Sequence, residues 1–265
     1  MLARRLFPVA CLLVAALAAA PARAQDKPFA FSITTATNPT RPQARVDYEV
    51  GTGEGAFHSE DAYQPEQRFN VQASLGRITL LGRVGLTSAG SSYQSSQSGE
   101  LLVTMTPAGS RLSLAAGGGA LHEAGGTNVL ISRIVVGSGS DAWTSQGNVV
   151  FQHALSPDRD PLDVLFTGGI SRRIASRAAI GVEAIGEDLE GFWDAAEAEG
   201  GARLLVGPSL HLSWASGKWQ LLCAGGPTLH PRSNDRSSGA VRDLPPSQRR
   251  VGYAAQAGLS VTLGR

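Results

Sequence analysis

Six carboxylates crowd into the sixteen residues GEDLEGFWDAAEAEGG at positions 186–201, with no lysine or arginine among them. Such a cluster could bind a divalent cation, present a charged surface to a partner or to lipopolysaccharide, or lie in solvent. The D-x-[DN]-x-[DN]-G spacing of a calcium loop is absent, so the sequence favours a solvated acidic loop and leaves the other two uses open. The carboxylates are Glu187, Asp188, Glu190, Asp194, Glu197 and Glu199.

The same stretch carries apolar residues at helical spacing. Positions i, i+3, i+4 and i+7 are filled by Leu189, Phe192, Trp193 and Ala196, which would form one face of a helix. The pattern predicts a short amphipathic helix over 187–199, ended by two glycines. Its apolar face would rest on the structure that the rest of the chain builds, and its carboxylates would face solvent.

The next long polar segment, residues 230–249, has the opposite charge, because its arginines outnumber its aspartates. We expect the acidic and basic loops to emerge side by side and to narrow a common mouth by charge attraction. Exposed ion pairs contribute only about 0–1 kcal/mol each, so this attraction would bias the loops without locking them. The arginines are Arg232, Arg236, Arg242 and Arg249.

The histidines give little support for a metal site. No H-x-H or H-x-x-x-H spacing occurs, so neither a metal nor another cofactor is predicted. One pair could support catalysis, because His211 and Ser213 would lie on the same face of a strand, where a base beside a hydroxyl can activate a nucleophile. The chain lacks the G-x-S-x-G motif of hydrolases. The histidines are His58, His122, His153, His211 and His230.

The chain opens with the pattern of a secretory signal peptide. Two arginines precede an apolar run from Leu6 to Ala20, and Ala22-Arg23-Ala24 is a cleavage pattern. We therefore expect residues 1–24 to be removed and residues 25–265 to form a single domain.

The charge of this mature chain excludes one class of partner. Removal of the signal takes three of the 23 basic residues and none of the 22 acidic ones, so the remainder has a net charge of −2, which argues against nucleic-acid binding. One cysteine, Cys223, is left, so no internal disulfide is expected.

Period-two alternation dominates the mature chain. In the last run, 251–263, every second residue is apolar and the others are small or polar, which is the pattern of a strand. The run is about twice as long as an ordinary globular strand. The segment 28–38 is either a further strand or a lead-in. Similar runs occur near 43–53, 66–75, 77–88, 99–107, 110–119, 127–137, 146–155, 161–171, 177–187, 201–214 and 218–229.

The connections between these runs alternate in length, with 138–145 as an intermediate case. Short turns fall near 75–76, 107–109, 172–176 and 215–218, and long polar loops fall near 54–65, 89–98, 120–126, 188–200 and 230–249.

Signal peptide, strands of about ten residues, apolar-out and polar-in faces, and alternating turns and loops resemble a bacterial outer-membrane β-barrel. The resemblance implies an all-β, antiparallel up-and-down barrel of about 12 strands (10–14), with outer-membrane lipid as its partner. Small inward residues, interspersed with Glu100, Glu183 and Arg203, could leave a narrow lumen. Porin-like passage of small solutes or a structural role, without enzymatic activity, would follow.

Three features bear on this interpretation. Trp214 and Trp219 flank the turn ASGK and would pair across a hairpin, as a membrane-interface girdle requires. Pro208 lies inside a strand and predicts a bulge or an edge. Aromatic residues make up only 6% of the chain. Two alternatives therefore stay open: a soluble periplasmic β-sandwich or lipocalin-like ligand-binding protein, and an outer-membrane lipid hydrolase that uses His211 and Ser213.

Overall fold

Twelve long strands account for most of the residues that the computed structural model describes, which are 29–31, 42–53, 65–89, 92–108, 110–156, 162–192, 202–230 and 251–263. The predicted signal peptide lies outside these ranges. The strands are β1 (Gln43–Gly53), β2 (Glu66–Leu75), β3 (Ile78–Ala89), β4 (Ser92–Thr104), β5 (Leu112–His122), β6 (Asn128–Gly139), β7 (Trp143–Ala154), β8 (Asp163–Ala175), β9 (Ala178–Glu187), β10 (Arg203–Trp214), β11 (Trp219–Leu229) and β12 (Val251–Leu263).

Every strand pairs antiparallel with its neighbours in sequence, and β12 pairs with β1 to close the barrel. The closing register runs from Ala44↔Leu263 to Gly53↔Ala254. Closure satisfies the backbone groups that an open sheet would leave at its two edges. The predicted up-and-down barrel and its strand number are confirmed.

The connections form two rims. The turn rim holds the links after β2, β4, β6, β8 and β10, together with the start of β1 and the end of β12, and the loop rim holds the other links. Residues 89–98 were predicted to be a loop, but β3 and β4 pair as far as Ala89↔Ser92. Serine and glutamine recur on both faces there, so ladder hydrogen bonds rather than burial extend this hairpin, and no alternation marks it. Residues 138–145 comprise the end of β6, the start of β7 and a tight turn between them. In this turn the Ser140 N–H donates to the Trp143 carbonyl.

The barrel exterior is apolar along most of its height. Outward positions of the strands carry exposed aliphatic and aromatic side chains, among them Phe69, Leu80, Val84, Leu101, Ile134, Ile170, Ile180, Val182 and Leu259. Most charged strand residues are buried and face inward, together with many of the polar ones. A barrel that stays in water has the reverse arrangement, whereas this one fits a hydrocarbon surrounding. The structure therefore favours the outer-membrane barrel over the soluble alternative.

Pro208 interrupts one ladder without shifting it. It is paired with Val182 on β9, but the β10–β11 pairs skip from Leu205↔Thr228 to Ser209↔Ala224. Each strand advances four residues across this gap, so no residue is inserted and the predicted bulge or edge is wrong. The proline removes hydrogen bonds, and the pairs on either side keep the register.

The predicted helix over 187–199 is replaced in its described part by the strand end and a four-residue 3-10 helix, Leu189–Phe192. Residues 193–201 lie outside the described ranges. None of the helical segments in the described ranges is long and apolar enough to cross a membrane.

Candidate functional site: the barrel lumen

The lumen is the candidate functional site, because the alternation that makes the exterior apolar turns the polar side chains inward. The three inward residues expected from the sequence, Glu100, Glu183 and Arg203, are all buried inside the barrel. Buried charges need partners, and the structure supplies them from several strands.

The most tightly bonded pair joins β4 to β6. Arg133 donates from Nε to Glu100 Oε2 at 2.6 Å and from Nη2 to Oε1 at 2.9 Å. Arg83 lies 3.9 Å from the same carboxylate and also donates to Asn70 at 3.2 Å. This bidentate geometry gives both the strength and the directional preference of an arginine–carboxylate pair. The network spans β2, β3, β4 and β6 and ties one side of the interior together.

A second network lies nearer the turn rim on β1 and β2. Arg45 Nε is 3.1 Å from Asp47 Oδ1, and Arg45 Nη2 donates to Gln72 Oε1 at 2.9 Å. Ser74 and Thr79 continue this row of polar contacts towards the turn rim, with their hydroxyl oxygens 3.3 Å apart. These bonds fill the space between the strands with paired polar groups.

Glu187 belongs to the lumen and not to the solvated loop in which it was predicted. It is the last residue of β9, is buried, and pairs with its cross-strand neighbour Arg203 at 2.6 Å. The inward alternation of β9 simply continues to the end of the strand. The N–H of the next residue, Asp188, still donates to the Val164 carbonyl at 3.2 Å. Asp188 has a φ of 45°, which ends the extended backbone, and the strand stops there.

The remaining predicted rim residues cannot be placed in the same way. Glu190 lies in the 3-10 helix. The others lie outside the described residues, so the attraction between the two loops stays a prediction. These are Asp194, Glu197, Glu199, Arg232, Arg236 and Arg242.

The lumen also contains a short segment that precedes β1 in the sequence. Phe29, Ala30 and Phe31 are 0%, 1% and 3% exposed. Ala30 and Phe31 pack in an apolar cluster with inward residues of β9 to β12, and the half-buried Leu165 of β8 borders it. The wall residues of this cluster are Ile185, Leu205, Leu222, Ala224 and Ala254. The segment 28–38 is thus a lead-in within its described part and not a thirteenth wall strand.

Polar contacts fix the backbone of this segment. Ala30 N–H donates to Glu183 Oε1 at 3.0 Å, and Phe31 N–H donates to Oε2 of the same carboxylate at 2.7 Å. Gln256 donates from Nε2 to the Ala30 carbonyl at 3.0 Å. A Cβ atom on Gly169 would come within 2.8 Å of the Phe29 ring, so the ring occupies the space that this glycine leaves. Contacts with strands β8, β9 and β12 therefore hold the segment in place.

A polar cavity of about 300 Å³ lies inside the turn rim. Among the described residues, three arginines, Arg111, Arg173 and Arg177, line it together with a single carboxylate, Asp141, and with His211. This turn-side vestibule therefore carries an excess of positive charge. Arg172, one residue from Arg173, points to the outside instead and lies 5.6 Å from the centre of the Trp143 ring.

The candidate catalytic pair lines the same vestibule. His211 and Ser213 face inward, and Leu210 and Trp214 lie on the outward face. His211 Nε2 is buried without a hydrogen-bond partner among the described residues. In the same part of the chain, no group of three His, Cys, Asp or Glu residues is placed to hold a metal ion.

Trp214 and Trp219 pair across their hairpin at the turn rim, as the sequence suggested. Trp143, which the sequence analysis did not single out, begins β7 at the same rim and is half-exposed. These three turn-rim tryptophans lie where an interfacial girdle would be, and their role as a girdle stays a prediction. Alternation within the run 143–154 could have identified Trp143.

Comparison with solved structures identifies porins as similar in fold. The KdgM porin in complex with disordered oligogalacturonate has a TM-score of 0.55 at 10% identity and covers 84% of this chain and 99% of its own. The NanC porin has a TM-score of 0.54 at 8% identity, with 82% and 100% covered. No protein-family model and no curated protein sequence matches the chain. What these neighbours share with the chain is the barrel itself, and by its fold the chain is an outer-membrane β-barrel protein.

Proposed function

We propose that the protein is a porin-like channel of the outer membrane that passes small polar solutes, favours anions and has no enzymatic activity. One observation carries the preference for anions: the described lining of the turn-side vestibule has three arginines against one aspartate. Arginine guanidinium groups bind carboxylates and phosphates through paired hydrogen bonds. The similar KdgM porin was solved with oligogalacturonate, and each galacturonate unit carries a carboxylate.

The vestibule is placed to select solutes by charge. It lies at one end of the lumen, and buried charges deeper inside form pairs such as Arg133–Glu100. A net positive field in a narrow cavity raises the local concentration of anions. The Debye length is about 10 Å at 0.1 M salt and about 3 Å at 1 M, so the selectivity is expected to fade as the salt concentration rises.

Reconstitution in planar bilayers tests this proposal. In a gradient of potassium chloride, the reversal potential should show a preference for chloride at 0.1 M salt that weakens at 1 M. Arg173→Gln should reduce that preference, whereas Arg172→Gln, on the adjacent outward residue, should leave it unchanged. A channel that prefers potassium would contradict the anion preference, and the lack of any conductance in every variant would contradict the channel.

The absence of catalysis is a separate part of the proposal. His211 Nε2 has no hydrogen-bond partner among the described residues, and this supports it, since a general base must lie within hydrogen-bond reach of the hydroxyl that it activates. In a lipid hydrolase the pair would face lipid, and here both residues face the lumen. Phospholipid hydrolysis that is lost in Ser213→Ala would overturn this part and favour the hydrolase alternative.

The processed chain and its loop-rim charges complete the proposal. N-terminal sequencing of the membrane form should find Gln25 as the first residue, because cleavage is expected after Ala24. The acidic and basic loops should narrow the loop-side mouth, so Glu197→Lys should change the conductance at low salt and not at high salt. If the wild type and Glu197→Lys have the same conductance at every salt concentration, the loops do not narrow the mouth by charge attraction.

A further inference from the structure

The lumen segment Phe29–Phe31 occupies part of the interior that the proposed channel needs for passage. It is buried at mid-height in the barrel and makes hydrogen bonds to β9 and β12. No solute can pass along the apolar wall of β8 to β12 while these three residues cover it. The segment is therefore either a permanent filling or a removable one.

We propose that Phe29–Phe31 is a removable plug that closes the channel, and that the Glu183 carboxylate is the group that holds it closed. The proposal rests on the proposed channel function. The plug would leave its place on the wall when the channel opens and return to it when the channel closes.

The contacts of the plug suit a reversible attachment. Glu183 accepts one hydrogen bond at each carboxylate oxygen from the N–H groups of two successive residues, and Gln256 donates to the carbonyl between them. All three bonds use backbone atoms of the plug, and none is an ion pair or a covalent bond. Water can replace these bonds one for one, so release leaves no backbone group without a partner.

The wall leaves space for the plug at one position, Gly169. Gly169 lies opposite Glu183 in the β8–β9 ladder, and a Cβ atom there would come 2.7 Å from Phe29 Cδ1 and 3.0 Å from Glu183 Cγ. Glycine at this position thus admits the ring beside the carboxylate. The next strand also has a glycine opposite Glu183, Gly207, so the carboxylate stands between two residues without side chains.

Retention of the plug has a different physical basis from its release. Phe29 and Phe31 bury two aromatic side chains against aliphatic wall residues. Removal of these rings would expose the apolar wall to the lumen, and the hydrophobic effect opposes this. The closed state should therefore predominate in the wild-type protein, and its population should depend on both the two rings and Glu183.

Single-channel recording of the protein purified from membranes, in planar bilayers, tests the plug. The wild type should be closed for most of the time. Phe29→Ser/Phe31→Ser should be open for most of the time, and Glu183→Gln should raise the ratio of open to closed time by roughly ten- to a hundredfold, the equivalent of a lost hydrogen bond to a charged group. Phe69→Ser, which removes an outward ring, is the matched control and should behave as the wild type.

Cross-linking gives a second measurement that does not depend on conductance. In a Cys223→Ser background, Phe29→Cys and Gly169→Cys should be joined by a short bis-methanethiosulfonate reagent, and this should hold the channel closed until dithiothreitol is added. Failure of the pair to cross-link, or openings that are equal in the wild type and in Phe29→Ser/Phe31→Ser, would overturn the plug and leave the channel standing. Cross-linking without conductance in any variant would overturn the channel, and the gate with it.

Discussion

Replacing Glu100 by glutamine should destabilise the barrel strongly, because it leaves an arginine charge buried without its partner. Arg133 and Glu100 are held by two hydrogen bonds of 2.6 and 2.9 Å, and their side chains are only 5% and 1% exposed. Glutamine preserves the shape of the side chain and one carbonyl acceptor. It removes the negative charge that faces both Arg133 and, at 3.9 Å, Arg83.

The expected magnitude follows from the geometry of this pair. A hydrogen bond to a charged group contributes about 1.5–3 kcal/mol, and removing one partner of a buried ion pair costs about 3–5 kcal/mol. Glutamine keeps one of the two bonds, so we expect Glu100→Gln to lower the free energy of unfolding by about 3 kcal/mol. An exposed charge, Arg111, serves as the control. Arg111→Gln should change the free energy of unfolding by less than about 0.5 kcal/mol.

A double-mutant cycle separates the pair from its surroundings. Since a buried ion pair can often be replaced by apolar groups at little cost, Glu100→Gln/Arg133→Met should be more stable than Glu100→Gln alone. The coupling energy should be about 2 kcal/mol or more. Urea unfolding of the barrel in lipid vesicles, followed by tryptophan fluorescence and by the mobility of unheated samples on gels, measures each free energy.

Additivity would refute this account of the interior. If the two single substitutions sum to the double one within about 0.5 kcal/mol, the two side chains act independently and the bidentate pair does not form in the membrane. Equal destabilisation by Arg111→Gln would show that removal of any charge has this effect. Either result would remove the ion pair as the element that ties β4 to β6.

Three further predictions concern the wall of the barrel. Ile134→Lys, on the outward face in the middle of β6, should cost about 2–4 kcal/mol of unfolding free energy in vesicles, and Ser138→Lys near the turn rim about 0–1 kcal/mol; equal costs would argue against a lipid surrounding. Gly117→Ala should lower the free energy of unfolding by about 1–3 kcal/mol, because the added Cβ would collide with the Leu101 carbonyl. Gly82→Ala has open space around it and should leave the free energy of unfolding unchanged in the same assay. Fluorescence of the turn-rim tryptophans should be quenched more by lipids brominated near the headgroup than by lipids brominated near the chain ends, and the opposite order would exclude a girdle.

Strand positions were predictable where lipid imposes the alternation. β2 was predicted at 66–75 and spans Glu66–Leu75, and β1 also matches its predicted bounds. Each outward residue in the membrane must be apolar, so the pattern is present in the local sequence. Prediction failed at the start of β4, where Ser92 lies near the loop rim and the hairpin continues beyond the apolar exterior. Ladder hydrogen bonds extend the hairpin there, and backbone pairing leaves no pattern in the side chains.

The candidate site was predictable only in part. Alternation predicts whether a side chain points inward or outward, but it does not predict which residue that side chain contacts. It placed Glu100, Glu183 and Arg203 inside the barrel. The pairing of Glu100 with Arg133 depends on the twist and register of β4, β5 and β6 together, since the two residues lie on strands that are not adjacent. The contact between the plug and the wall is further still from local information, because Ala30 and Glu183 are 153 positions apart in the sequence.

Closure of the barrel makes the two parts of the interior depend on each other. On β1 to β6, charged side chains satisfy each other sideways, through bonds such as those of Arg133 and Arg45. On β9 to β12, several inward residues at mid-height are aliphatic. Aliphatic side chains form no hydrogen bonds or ion pairs with their neighbours in the wall. Exposure of an apolar surface to water in the lumen is costly, so a cover stabilises that side of the barrel, and in the described part of the chain Phe29–Phe31 supplies it.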